Sequence, residues 1–429
     1  MRVLNSSINS SNEDLLYSFT NGIEVDSLLF RQEIQVQKQW VIALNDIGLF
    51  NADETKSILM ELDVVAELMG TKKFDWKVAD EDIHMNIERH LTDKLGDLGK
   101  KIHLGRSRND LIATTLRLYT RDSLQVIADQ LTTLKRKVHS KAESWKNLIV
   151  PGLTHVQAGM PVGFKVILSA HEEALKRDLV RILDAQSSCM DSCPFGAAAF
   201  AGTHLNINLD QLATQLGFAS SVQNTYDAVG DRDFILQTLN CFSLIGVHLS
   251  RLCEELIYYS SSFVGLIELP AQLSTGSSIM PNKRNPDVIE LVRAKMAKVM
   301  ACASEGANLV KAVLPSYGSD LHELKETLVR ATQELQQSLE IMIPFMDALG
   351  INEQKAKKLC RQGHVLATDI ANFLCQSGKS FRDSYATVAA MVESAETEGC
   401  QVHERLKGEE EISFWNYLNQ SRGLVKTSF

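Results

Sequence analysis

Residues 231–269 read DRDFILQTLNCFSLIGVHLSRLCEELIYYSSSFVGLIEL. Pro is absent from this stretch, and Gly246 is its one glycine before Gly265. Ile235, Leu239, Phe242, Leu249, Leu252 and Leu256 recur at spacings of three, four and seven, which gathers them on one side of an α-helix. The stretch predicts one long, largely buried helix. Its portion from 235 to 250 is so poor in charge that part of its surface is too apolar to face water in a monomer, and self-association would cover it.

Working outward, three more long helices follow from the same periodicity. One begins near Asn109 and carries Ile112, Leu116, Tyr119, Ile127, Leu131, Leu134 and Val138. Another runs from Phe164 through Leu168, Leu175, Leu179 and Ile182. A third starts after Pro286, where Pro followed by Asp287 suits a first turn, and continues through Leu291, Val292, Met296 and Val299. Only eight prolines occur in 429 residues, so the fold class is mainly α, with a central helix bundle. At roughly 100–200 residues per domain the length predicts two or three units. The boundaries expected are an N-terminal helical unit over 1–105, a bundle over 106–349 and a C-terminal helical unit over 350–429.

The composition, 45% hydrophobic and 23% charged, is that of a folded globular chain. A net charge of -9 without a basic stripe argues against nucleic acid as a partner. The N-terminus is polar from Asn5 to Asp14, and no apolar run reaches the ~18 residues of a membrane span, so the expectation is a cytoplasmic protein without membrane association. Eight cysteines spread from Cys189 to Cys400 form no disulfide framework. Cys189 and Cys193 lack the second Cys/His pair of a zinc site, and His84 with Glu88, spaced for a metal pair on a helix, lacks a third ligand; no metal is expected.

The chemistry sits on polar links at about 149–162, 191–210 and 270–287. In the last, Ser277, Lys283, Arg284 and Asn285 crowd between Pro281, Pro286 and a Gly/Ser start. A surface linker would have such a composition; so would a site for a substrate carboxylate, with a mobile hinge. Abstracting a proton beside a carboxylate piles charge onto that carboxylate, and Lys283 and Asn285 could meet it while Ser277 takes the proton. His155, beside Thr154, reads either as a structural imidazole or as a proton-transfer group that Glu290 could orient. Arg106-Ser107-Arg108-Asn109-Asp110 reads either as a capped helix start with solvated arginines or as a two-arginine fork for a carboxylate.

The run Gly276-Ser-Ser-Ile-Met-Pro-Asn-Lys-Arg-Asn285 matches every fixed position of the signature Gly-Ser-Ser-x-Met-Pro-x-Lys-x-Asn, and so resembles the fumarase/aspartase superfamily. Glu-Asp-Ile-His at 81, Gly-Arg-Ser-Arg-Asn-Asp at 105, Pro-Gly-Leu-Thr-His-Val-Gln at 151 and Asp-Ala-Val-Gly-Asp-Arg-Asp-Phe at 227 extend the resemblance to the argininosuccinate lyase family. So does Ala-Thr-Asp-Ile-Ala-Asn-Phe-Leu at 367. The resemblance implies three mainly helical domains, a homotetramer whose sites are each built from three subunits, and no cofactor. It implies β-elimination of argininosuccinate to arginine and fumarate, a step of arginine biosynthesis. By the same resemblance Ser277 is the base, His155 its acid–base partner paired to Glu290, and Lys283 and Asn285 stabilise the carbanion. Ser107, Arg108, Asn109 and Thr154 contact the dicarboxylate, while Asp26, Tyr317 and Lys325 hold the amine half. Gly22 stands where the family has Ser, Leu111 and His322 where it has Gln, and one residue is missing before Tyr317. These departures leave open a lyase for another N-substituted aspartate, and a non-catalytic structural homologue is the reading of another class.

Overall fold

The computed structural model describes residues 10–426. Five long helices dominate: α1 (Arg108–Ser144), α2 (Phe164–Cys189), α3 (Asp233–Ser260), α4 (Asp287–Val310) and α5 (Asp320–Ala348). The starts of α1 and α3 are written in short polar side chains. Asp231 accepts the N–H of Asp233 (2.9 Å) at the head of α3. At the head of α1, Ser107 Oγ accepts the N–H of Asn109 (3.3 Å) and Asp110 accepts that of Ser107 (3.0 Å), a reciprocal cap.

The chain divides into two compact units. The first comprises the chain up to Asp129, Asp178–Val247 and Lys295–Gln337. Its core includes Trp40, whose ring lies 4.8 Å from that of Phe195 and whose indole N–H donates to Leu104 O (3.2 Å). The second comprises Gln130–Arg177, His248–Ala294 and Ser338–Phe429. There the short helices Ala367–Gln376, Phe381–Glu398 and Gly408–Arg422 close over Ile370, Leu374, Phe414 and Leu418.

Three two-stranded ladders complete the elements. Strands β1 (Ile149–Thr154) and β2 (Gln157–Gly163) form a hairpin. β3 (Ile267–Glu268) pairs with β6 (Gly350–Ile351), and β4 (Thr275–Gly276) with β5 (Arg284–Asn285). Two expectations are corrected here. The segment 149–162 is this hairpin rather than an irregular link. The helix read over 231–269 spans Asp233–Ser260, because Ser261 O accepts the N–H of Gly265 (2.7 Å), Gly265 turns at φ +60° and the chain leaves as β3. The fifth helix, α5, was not read from the sequence, although Leu321, Leu324, Leu328, Leu335, Leu339 and Met342 lie buried along it at helical spacing; Pro344 sits inside its last turns.

Along the helices of the first unit several large apolar side chains stay exposed, among them Val180, Leu183, Leu244 and Met300. No described helix is long and apolar enough to cross a membrane.

Candidate active site

In the first unit a buried charged cluster forms around Asp26 and Lys325, which are only 1% and 2% exposed. The Lys325 ammonium donates to Asp26, joining residues 299 positions apart, and Asp26 also accepts the N–H of Ile83 (3.4 Å). Arg108 Nη1 donates to Asp82 (2.8 Å) and Glu81 (3.2 Å). Tyr317 lies in the field of Arg232, Arg108, Asp82 and Asp26; burial raises its phenol against the pull of the two arginines. His322 and Lys325, three apart in the first two turns of α5, face the same cluster.

Asp110 anchors the loop beneath. It is fully buried and accepts the N–H groups of Ser107, Gly196 (3.1 Å) and Ala198 (2.8 Å). Burial pushes its carboxyl up to about 6 despite those donors. Asn109 donates to Ala199 O (3.1 Å), so the loop at 196–199 is tied to the head of α1. The two-arginine fork does not form: Arg106 turns into the core, where it donates to Gln37, and Arg108 alone reaches the carboxylates of Glu81 and Asp82. Nor are the arginines merely solvated. The His84–Glu88 pair also takes other partners, His84 Nδ1 lying 2.8 Å from buried Glu33 while Glu88 is bonded to His103 (3.0 Å). Among the described residues no group of three or more His, Cys, Asp or Glu could hold a metal.

In the second unit two tips carry the other candidates. Thr154 pairs with Gln157 at the end of the β1–β2 hairpin, leaving His155 and Val156 as a two-residue turn with φ of +55° and +59°. Positive φ at both central residues is the twist-matched hairpin turn, but it favours Asn and Gly; a histidine and a β-branched valine there are strained. Thr154 and His155 are exposed.

The second tip lies between β4 and β5, where Thr275 faces Asn285 and Gly276 faces Arg284. Ser277 Oγ accepts the N–H groups of Met280 (3.1 Å) and Ile279 (3.4 Å), and the N–H of Lys283 donates to Met280 O (3.1 Å). Two donors on one hydroxyl oxygen favour negative charge there and direct its own proton outward. Thr275 donates to Asp287 in the first turn of α4, fixing the base of the tip. Ser277 is half-buried, Lys283 and Glu290 are exposed, and Asn285 is half-buried. No hydrogen bond or ion pair within the chain joins Glu290 or Ser277 to His155, so the expected Glu290–His155 pairing is not made by the described residues of one chain.

The cluster of the first unit thus holds Asp26, Arg108, Tyr317 and Lys325, with Ser107 and Asn109 at the neck. Sequence reasoning gave no role to Asp82 and Arg232. The Glu81-Asp82 dipeptide was nevertheless visible, with Glu81 at φ +67° and Asp82 capping the helix Ile83–Leu95 through the N–H of Met85 (2.9 Å).

Residues 7–301 match the Lyase family, and residues 364–414 match the Argininosuccinate lyase C-terminal family. The argininosuccinate lyase of Lawsonia intracellularis is 37% identical over 386 residues, covering 90% of this chain and 84% of that one. The chloroplastic argininosuccinate lyase of Arabidopsis thaliana is 38% identical, covering 90% and 74%. In fold, a fumarate lyase:delta crystallin from Brucella melitensis superposes with a TM-score of 0.81 at 18% identity over 97% of this chain and 95% of that one. An EDDS lyase variant with bound fumarate gives 0.78 at 22% over 99% and 83%. Matched from Glu81-Asp82 through the Ser277 tip to the C-terminal helices, the chain belongs to the argininosuccinate lyase family.

Proposed function

We propose that the protein cleaves argininosuccinate to arginine and fumarate. The observation that carries this reading, beside family membership, is the Ser277 tip, where two backbone N–H groups meet one hydroxyl oxygen in the same turn that carries Lys283. Ser277, once deprotonated, takes the proton from the carbon beside the substrate carboxylate. Lys283 and Asn285 hold the charge that gathers on that carboxylate. The carbon–nitrogen bond then breaks, its electrons leave with the nitrogen, the carbon–carbon double bond of fumarate forms, and a proton is returned to the departing amine by His155 with Glu290 supporting it. Thr154, Ser107, Arg108 and Asn109 position the dicarboxylate, and Asp26, Tyr317 and Lys325 the amine half.

The working form is proposed to be a cytoplasmic homotetramer with the three-part division at 105 and 349. Exposed Val180, Leu183, Leu244 and Met300 support association, as do the exposed side chains of His155 and Glu290, which have no hydrogen-bond or ion-pair partner among the described residues of one chain. A second reading, another N-substituted aspartate as substrate, is favoured by His322 and Gly22 within the cluster.

The test is fumarate absorbance with purified protein and argininosuccinate, adenylosuccinate, aspartate or malate, with Ser277→Ala as control. Fumarate from argininosuccinate alone supports the first reading. Fumarate only from another substrate supports the second, and none from any points to a structural homologue.

A further inference from the structure

Pro151 faces Pro161 across the β1–β2 hairpin. Proline has no backbone N–H, so this rung holds two carbonyls and no donor. Immediately beyond it the register shifts at a bulge between Pro151 and Leu153. Two pairs, Leu153–Ala158 and Thr154–Gln157, then lead to the turn, where His155 and Val156 are strained at positive φ. A ladder interrupted in its middle and strained at its tip does not by itself fix where it presents a side chain.

The C-terminal helices of the same unit meet the hairpin on both sides of that rung. Cys360 donates its thiol to Ile149 O (3.5 Å) at the base, and Gly363 lies beside Ala158 towards the tip, where a Cβ on the glycine would be 3.6 Å from that of the alanine. At the rung itself the Arg422 guanidinium donates to Pro161 O through Nη2 and to both oxygens of Asp369 through Nη1 (2.8 Å each). Arg422 ends the helix Gly408–Arg422, and Asp369 lies in the first turn of the helix Ala367–Gln376, so each charge sits at the helix end that favours it. Asp369 is 2% exposed, and burial raises its carboxyl against the pull of Arg422. The guanidinium is thus held from behind by a carboxylate that has almost no water to turn to.

We infer that Arg422, locked by Asp369, is a positioning residue for proton transfer: it supplies from the C-terminal helices the donor that the Pro151–Pro161 rung lacks, and so sets where the hairpin holds His155. The inference rests on the reading of His155 as the group that returns a proton to the departing amine; the brace on the hairpin does not depend on that reading. Arg422 touches neither His155 nor substrate, and its effect passes along β2 from Pro161 to the turn. A guanidinium suits the task because its planar fork serves a carboxylate with one nitrogen and a carbonyl with another, which fixes both in one plane.

The test compares, on the full chain, Arg422→Ala, the double variant Asp369→Asn with Arg422→Ala, and a control, Arg405→Ala, which breaks another ion pair of the same unit, that with Glu398. Hydrogen exchange over residues 152–160, melting temperature and kcat for argininosuccinate are measured. Arg422→Ala is expected to speed exchange there ~10-fold or more and to lower kcat by ~10-fold or more, because a reacting group displaced by a fraction of an ångström loses its alignment. In the double variant the carboxylate is no longer left charged and alone, so the melting temperature should recover while exchange stays fast and kcat stays low, a split that a merely structural role would not produce. Arg405→Ala should alter neither exchange over 152–160 nor kcat. Unchanged exchange in Arg422→Ala overturns the brace, whether or not the protein turns over. Faster exchange with wild-type kcat overturns the positioning of His155, as does a kcat that recovers along with the melting temperature. If wild type releases fumarate only from another substrate of the panel, the same kcat comparison on that substrate decides. If it releases none, the positioning falls with the lyase reading and exchange alone decides the brace.

Discussion

Ser277 Oγ takes two backbone N–H bonds that do not depend on its own proton. Ser277→Ala removes that acceptor, but Ile279 and Met280 are exposed and water can take its place, so the melting temperature is expected to change little while kcat falls ~10²- to 10⁴-fold, the range for removing a general base; equal turnover would assign the proton abstraction elsewhere. Asp26 and Lys325 pose the opposite case, since both are almost wholly out of water. Removing one charge strands the other in a low-dielectric interior, so Lys325→Met should cost about 3–5 kcal/mol in urea unfolding, besides its effect on KM. His84 gives a pH dependence. Burial alone would lower its pKa, but Glu33, then Asp82 and Asp26, outweigh that and raise it above the ordinary 6.5. A raised folded-state pKa means that the pairing stabilises fully below that ordinary value and fades as pH climbs through the raised one. The stability gap between wild type and His84→Gln should thus be widest below the ordinary 6.5 and close as pH climbs through the raised value, and a gap that widened instead would show His84 to be neutral in the fold.

The hairpin β1–β2 holds its tip by geometry that His155 and Val156 do not favour. Val156→Gly should relieve that strain and raise stability by about 1 kcal/mol, less the loss of chain entropy that glycine brings, with kcat falling as the tip loosens. Urea midpoints and turnover on one preparation decide it. The hairpin also shows where reading from sequence stopped. Four long helices were legible because burial of one face repeats every three to four residues, whereas 149–163 combines Pro151, Gly152, Pro161 and Gly163, residues that break strands as often as they bound them. The motif around Ser277 was legible by residue type and spacing. The fates of Arg106 and Arg108 were not, because Gln37 and Asp82, which separate them, come from distant parts of the chain.

For the assembled molecule, four copies in solution are expected, and light scattering measures the mass directly. Val180→Asp with Leu183→Asp should lower that mass and abolish fumarate release while helical content persists; an unchanged mass would mean that other surfaces associate. If sites are shared between chains, inactive Ser277→Ala and inactive His155→Asn proteins, unfolded and refolded together, should regain part of the activity, because some sites then receive an intact residue from each. The hairpin that presents His155 carries a final consequence. Its second strand is braced by Arg422, which donates to Pro161 O and holds Asp369 through two 2.8 Å bonds. Arg422 lies 261 residues after Pro161. At roughly 5–20 residues per second of synthesis, the ribosome delivers that brace on the order of 10–50 s after the strand has been made. The nascent hairpin waits without that brace through the interval, so competence for chemistry trails synthesis of the strand by the same delay.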